Sequence, residues 1–255
     1  MVIRMESGLG VVILAAGLGT RMKSDKAKVL HEICGIPMIQ YVVGAATEAA
    51  GSNVVVVVGH QAEMVRQAAS CAGPVHFALQ ERQLGTGHAV ICALPSIPAE
   101  VKQVVILCGD VPLIRKDTIE RLVSDHIAHA RDLSVLVVEV ENPKGYGRIV
   151  LNAEGELSAV VEEADADATQ KKINIINTGI YIVKRAFLET ALPQLRADNA
   201  QKEIYLTDII GIAYREGRTI GAVKGSDSSE IIGVNSRDDL RSAETVMKVR
   251  IGEKS

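Results

Sequence analysis

Val11-Val12-Ile13-Leu14-Ala15-Ala16-Gly17-Leu18-Gly19-Thr20-Arg21-Met22 is the stretch that decides the fold. It starts as an apolar run rich in Val and Ile. A run with no polar alternation predicts a strand covered on both faces, as in a parallel sheet flanked by helices. The run then breaks into two glycines, a threonine and an arginine, with Lys23, Lys26 and Lys28 close behind. Glycines permit positive φ and leave backbone N–H groups bare. Such groups, with cations beside them, form a concavity for phosphate. The loop is therefore expected to hold the triphosphate of a nucleotide, while the rest of the chain supplies the second substrate. It is not a Walker loop, because G-x-x-x-x-G-K-[ST] is absent. It is a poor dinucleotide fingerprint too, since Gly17 to Met22 lacks the third glycine.

Working outward, β-type and α-type segments alternate. Pro37 to Ala50 has helical spacing and Val54 to Val58 is five valines in a row, a second buried strand. Helical or strand patterns follow at 61–69, 75–79, 88–94, 103–108, 118–130 and 133–140. This order predicts an open parallel sheet in an α/β fold. The second half changes style. A hairpin is expected over 146–151 and 157–162, a strand over 175–183, helices over 186–192 and 207–217, a strand over 219–223 and an amphipathic helix over 237–249. The chain divides into a tail (1–8), a nucleotide-binding unit (9–232) and a C-terminal segment with the last helix (233–255).

Composition narrows the function. The chain has 255 residues and a formal charge of −3, which gives no global field to attract nucleic acid. No run is long enough for a membrane span and the N-terminus does not read as a signal peptide, so the cytoplasm is the expected location. Cys34, Cys71, Cys92 and Cys108 form no C-x-x-C pair and are expected to be reduced, mostly buried, small apolar residues. His126 and His129 stand i, i+3 on a predicted helix. An exposed helix face is the reading favoured over a shared metal.

In doubly wound sheets ligands bind beyond the carboxyl ends of the strands. Three clusters fall there: the glycine loop, Gln80 with Gln83-Leu84-Gly85-Thr86-Gly87, and Gly109-Asp110. Their convergence on one crevice is the main functional expectation. Asp110, after an apolar strand and a glycine, is well placed to hold a divalent cation beside phosphates. An N-cap for the segment leading to Pro112 is the alternative.

The motifs L-A-A-G-L-G-T-R-M (14–22) with Lys28, Q-x-x-Q-L-G-T-G-H-A (80–89), G-D-V-P-L (109–113), G-Y-G-R-I (145–149), V-E-E (161–163), I-N-T-G-I (176–180), Y-L-T-D-I-I (205–210) and G-V-N-S-R (233–237) stand in order. Together they resemble the uridyltransferase (pyrophosphorylase) domain of the bacterial bifunctional N-acetylglucosamine-1-phosphate uridyltransferases, a branch of the sugar nucleotidyltransferases. The resemblance runs from about residue 9 to 250. It implies a Rossmann-like three-layer α/β/α fold with a mixed, mainly parallel sheet. It implies UTP and N-acetylglucosamine 1-phosphate as substrates, Mg²⁺ as cofactor, and UDP-N-acetylglucosamine and pyrophosphate as products. Leu14, Ala15, Ala16 and Gly17 would line the nucleotide, beside Cys108 and Gly109. Arg21 and Lys28 would bind the phosphates. Gln80, Gly85 and Thr86 would read the uracil edge, and Asp110 and Asn235 would hold the metal. Gly147, Glu162 and Asn177 would grip the sugar and its N-acetyl group.

Two departures and one ending qualify the resemblance. Ala27 stands where the family usually has proline, so the Lys28 loop is expected to be looser. Cys108 stands where a tyrosine often precedes Gly-Asp. No hexapeptide β-helix follows, so acetyl transfer is not assigned, the trimer loses its main support, and the oligomeric state is left open. Another sugar 1-phosphate or base, or a binding module without turnover, are the competing readings.

Overall fold

The computed structural model describes residues 8–19, 22, 24–231 and 233–252. Its central sheet has nine strands. They are β1 (Leu9–Leu14), β4 (Val54–Val58), β5 (His76–Leu79), β6 (Gln103–Cys108), β7 (Leu133–Glu139), β8 (Arg148–Leu151), β9 (Leu157–Val161), β10 (Ile175–Lys184) and β11 (Ile220–Lys224). A separate hairpin joins β2 (Glu32–Ile33) to β3 (Ile36–Pro37). The helices are α1 (Met38–Ala50), α2 (Ala62–Ser70), α3 (Thr86–Ala93), α4 (Lys116–Ala128), α5 (Arg185–Ala191), α6 (Asp208–Arg215) and α7 (Arg237–Gly252).

Across the sheet the order is β11-β7-β10-β6-β1-β4-β5, with β8 and β9 attached to β10. β1 lies parallel to β4 and β6, pairing Val12 with Val55 and with Ile106. Alternate residues of one strand enter opposite cores. Val11, Ile13, Val105 and Leu107 pack with residues of α1, α2 and α4, such as Val42, Val65 and Leu122. Val12, Val104 and Ile106 pack with residues of α3, α5 and α6, such as Val90, Leu188 and Ile209. This two-sided burial explains the unbroken apolar runs and gives the expected α/β/α layers.

The alternation of the first half reads as an open parallel sheet, and β10 makes the sheet mixed, mainly parallel, as the resemblance implies. β10 inserts antiparallel between β6 and β7, with Tyr181 opposite Ile106 and Val135. Because β10 runs backwards, its first half lies at the carboxyl end of β6. That reversal brings Asn177 to the same rim as Cys108 and Asp110. The hairpin Glu32–Pro37 was not expected. Its two central residues, Cys34 and Gly35, both have positive φ (51° and 78°), as a two-residue hairpin turn requires.

A third, small apolar cluster seats α7. Ala243 and Met247 pack with Ile33, Met38, Leu113 and Val234. Polar ties add to it: the buried Glu230 carboxylate accepts from Thr118 Oγ1 at 2.6 Å and from Arg115 Nε at 2.8 Å, while Arg250 donates to the Leu113 carbonyl at 2.7 Å.

Two expectations about burial fail. Cys71 is exposed, and Cys34, Cys92 and Cys108 are only half-buried. His126 is fully buried, because the helix face it shares with Leu122 and Val123 turns inward. Its ring meets Ser134 Oγ at 2.9 Å and Gln103 Oε1 at 3.2 Å. Among the described residues no helix is long and apolar enough to cross a membrane.

Candidate active site

At the carboxyl ends of β1, β5 and β6 lies a cavity of about 400 Å³. Its walls include Leu14 to Gly19, Lys28, Gln80, Gly85, Thr86, Cys108 and Asp110, so the three clusters do converge. Backbone bonds stitch them together: Gly109 N–H donates to the Leu14 carbonyl at 2.9 Å, and Gln80 N–H to the Val58 carbonyl at 2.8 Å. Only one of the two loop glycines uses positive φ. Gly19 does, at 65°, and a Cβ there would lie 2.7 Å from Lys28 Cβ. Gly17 has no neighbour within 4 Å of such a Cβ, so it keeps the cavity wall bare. Thr20, Arg21 and Lys23 lie outside the described residues.

The segment after β5 is braced from behind by residues 203–206. Ile204 N–H donates to the Leu84 carbonyl at 2.7 Å, Gly87 N–H to the Ile204 carbonyl at 2.8 Å, and Leu206 N–H to Thr86 Oγ1 at 3.0 Å. Gly85 is held at φ 111°, and a Cβ would fall 2.6 Å from the Ile204 carbonyl oxygen. The Y-L-T-D block therefore begins as a brace for the crevice. Its neighbour Glu203 lines the wall and was not singled out from sequence; Gln83, part of the expected cluster, lines it too. The signal for Gln83 was its place inside the Q-x-x-Q block.

At the mouth of the crevice Lys28, Asp110 and Asn235 meet. The Lys28 ammonium pairs with the Asp110 carboxylate and donates to Asn235 Oδ1 at 3.0 Å. Residue 235 arrives there because Val234 N–H donates to the Asp110 carbonyl at 2.8 Å. The α7 start then fixes it: Asp239 Oδ2 accepts from the N–H groups of Asn235 and Ser236, and Asp239 N–H donates to Ser236 Oγ, a reciprocal cap. The capping reading of Asp110 finds no support, since none of its side-chain bonds is to the backbone ahead. A carboxylate and an amide oxygen aimed at one point are hard oxygen donors. Such a pair suits Mg²⁺, which keeps most of its shell for water and phosphate. Among the described residues no group of three or more His, Cys, Asp or Glu gathers for a metal.

Beside this mouth stands a second group. Asn177 N–H donates to the Gly147 carbonyl at 2.9 Å, and a Cβ on Gly147 would lie 3.3 Å from Glu162 Oε2 and 3.4 Å from Asn177 Cβ. Asn177 Oδ1 accepts from the Tyr181 hydroxyl at 2.9 Å and from Gly179 N–H at 3.0 Å, which leaves its NH₂ as the end able to donate elsewhere. Burial raises the Glu162 carboxyl above the ordinary range, with Asp208, Asp165 and Glu203 adding to the effect. Gly147 is anchored through Arg148, whose buried guanidinium donates to Glu163 Oε2 at 2.7 Å and to the Tyr146 carbonyl. Glu163 Oε2 also accepts from Gly145 N–H at 3.1 Å. So G-Y-G-R-I and V-E-E work as one unit: Gly147 lies against Glu162, while Arg148 and Glu163 hold the turn. Cys108 links the two regions by donating to the Gly179 carbonyl at 3.5 Å; burial pushes its thiol up to about 12.

The expectation that Ala27 loosens the Lys28 loop is reversed. Ala27 is buried, and its N–H donates to Gln61 Oε1 at 2.8 Å, a bond that proline cannot make. Gln61 Nε2 donates to the Asp25 carbonyl at 3.0 Å, so one side chain holds residues 25 and 27, just before Lys28.

Comparison with known proteins agrees with the geometry. The sequence profile of the MobA-like NTP transferase domain matches residues 11–203. Among curated proteins, the bifunctional protein GlmU of Caldanaerobacter subterraneus is 49% identical over 243 residues, covering 95% of this chain and 52% of that protein. The GlmU of Geotalea daltonii is 45% identical over 245 residues, covering 96% and 54%. The chain thus spans about half the length of the curated relatives it matches. Among solved structures, a putative glucose-1-phosphate thymidylyltransferase from Bacillus anthracis superposes with a TM-score of 0.73 at 18% identity, covering 94% of this chain and 95% of that one, which speaks to the fold alone. With residues 11–203, most of its length, matched by that profile, this chain belongs to the MobA-like NTP transferase domain family.

Proposed function

We propose that the chain joins UTP and N-acetylglucosamine 1-phosphate to give UDP-N-acetylglucosamine and pyrophosphate. One observation carries the reading. Lys28 and Asp110 line a nucleotide-sized crevice and meet Asn235 there, and Cys108 of the same wall bonds to Gly179, next to Asn177 on β10. A triphosphate in the crevice and a sugar phosphate on the Gly147–Glu162–Asn177 group would meet at this junction. The sugar phosphate oxygen attacks the α-phosphorus in line, and pyrophosphate leaves from the opposite side. A phosphate monoester is already ionised near neutral pH. No general base is needed, and no histidine is required at the junction.

The residues act by positioning and by charge. Leu14 to Gly17 and Gly85 line the base and ribose. Lys28, with Arg21 seven positions before it in sequence, offsets charge that grows on the leaving pyrophosphate. Asp110 and Asn235 would hold Mg²⁺, which when bound neutralises phosphate charge and aligns the two polyanions. Glu162 and the Asn177 NH₂ would meet the sugar hydroxyls and the N-acetyl group. The GlmU relatives support uridine and N-acetylglucosamine as the substrates. Neither nucleic acid nor membrane enters this reading.

The test is pyrophosphate release across a panel of nucleotides and sugar 1-phosphates, with and without Mg²⁺. Release that is highest with UTP and N-acetylglucosamine 1-phosphate, and that needs Mg²⁺, is expected. A clear preference for another pair would replace the substrates. No release with any pair would overturn the enzyme.

A further inference from the structure

The geometry points to His88 as a positioning residue: it sets which end of the Gln80 amide faces the base, and so makes the crevice select a pyrimidine with an imide N–H. This rests on the proposed placement of the base beside Gln80.

Gln80 is buried, 4% exposed, yet lines the crevice. The two ends of a side-chain amide have the same shape and opposite chemistry, so neighbours decide which end points where. One end of this amide lies 3.1 Å from the Gly85 carbonyl oxygen. A carbonyl oxygen only accepts, so that end is the NH₂. The same nitrogen lies 3.1 Å from His88 Nδ1. Nδ1 must then be the acceptor, which puts the imidazole proton on Nε2. The Cys92 sulfur, one turn further along α3, lies 3.8 Å from Nε2 and 4.0 Å from Nδ1, so the tautomer rests on the Gln80 contact.

With both amide hydrogens turned inward, Oε1 is the end presented to a ligand. An oxygen there welcomes a ring N–H, as on uracil or thymine. It opposes the bare ring nitrogen of cytosine, because two lone pairs would face each other in a desolvated pocket. Gly85 cannot impose this alone. Its carbonyl holds one amide hydrogen and leaves the other free to swing toward the ligand. His88 takes that second hydrogen. It is a firm support, carried on α3 between the buried Gly87 and Ala89.

The experiment compares kcat/KM for UTP and CTP, with one sugar 1-phosphate, in the wild-type chain, His88→Leu and His88→Asn. Leucine removes the acceptor, whereas asparagine can return an oxygen near the Nδ1 position. The UTP-over-CTP preference should fall about five- to tenfold in His88→Leu, the scale of one buried neutral hydrogen bond. It should stay within about twofold of wild type in His88→Asn, which restores that bond. A merely structural role would lower both nucleotides together, and an unmoved ratio in folded His88→Leu overturns the proposal. Nitrogen-15 spectra of the wild-type histidines give a second reading that needs no variant. His88 as the Nε2–H tautomer supports the proposal, and a proton on Nδ1 overturns it. A wild-type chain inert toward every nucleotide would instead overturn the proposed function; the tautomer would still decide the Gln80–His88 arrangement.

Discussion

Replacing Glu230 by glutamine should loosen the seat of α7 without touching the crevice. The Glu230 side chain is 7% exposed and serves three partners: Thr118 Oγ1 at 2.6 Å, Arg115 Nε at 2.8 Å and Arg250 Nη2 at 3.9 Å. Glutamine keeps the volume and one oxygen, so the Thr118 bond can survive. The other end becomes an NH₂ that faces two guanidinium groups. Removing one partner of a buried ion pair costs about 3–5 kcal/mol, because the remaining charge is stranded. Here Arg115 is half exposed and regains water, but Arg250 is only 18% exposed. The loss should therefore lie below that range, at about 2–3 kcal/mol. For a chain of this size that lowers Tm by about 4–12 °C. Calorimetry measures the shift, and hydrogen exchange locates it. Amides of α7 should exchange faster, while those of β1 and β6 keep their protection relative to global unfolding. A Tm shift under about 2 °C, or equal loss of protection in β1 and α7, would refute the idea that this cluster clamps the last helix.

Three further outcomes follow from the same contacts. Lys28→Ala should lower kcat/KM by about 10²-fold or more in the pyrophosphate-release assay, the scale of losing one electrostatic donor, and a change within twofold would remove Lys28 from the chemistry. Gln61→Ala frees the backbone of residues 25 and 27 before Lys28 and should cost about 1–2 kcal/mol by denaturant titration, since two hydrogen bonds go; unchanged stability with unchanged kcat/KM would show the clamp to be idle. Burial lowers His126 to about 4, so the folded state binds fewer protons than the unfolded state between that value and the ordinary 6.5. Its contribution is complete above about 6.5 and fades as pH falls toward about 4; a His126→Gln chain should lose this part of the acid sensitivity, and an identical pH profile of stability would refute the assignment.

The strands of the first half were legible because a doubly covered sheet needs unbroken apolar runs, and Val11–Leu14 and Val54–Val58 supply them. The place of β10 was not legible. Its own residues look like any buried strand, and its direction depends on pairing with Val105 and Ser134, dozens of positions away. The 32–37 hairpin escaped because Cys-Gly is a rare dipeptide for such a turn, where Asn-Gly would have announced it. His126 was misread because its helix carries charged residues on both sides of a narrow apolar stripe, so spacing alone did not say which side met β7. The clamp by Gln61 could not be seen either. A glutamine before a helix predicts nothing until the fold brings Ala27 to it.

Those failures share a cause that also explains the site. The mouth residue Lys28 sits on a loop with little structure of its own, and Asn235 lies 207 positions away in sequence. Neither can be placed by local propensity. Each is held by residues beyond its own motif: Gln61 grips residues 25 and 27 before Lys28, while Asp239 and a backbone bond to Asp110 set Asn235 and its neighbour. A catalytic junction between two polyanions gains most from fixed geometry, since misplacement by about 1 Å can cost about 10²-fold in rate. The motif residues then decide what the junction can do, and the unremarked residues behind them decide whether it holds still long enough to do it. Variants at Gln61 and Asp239 should for that reason change rate more than their modest share of stability suggests.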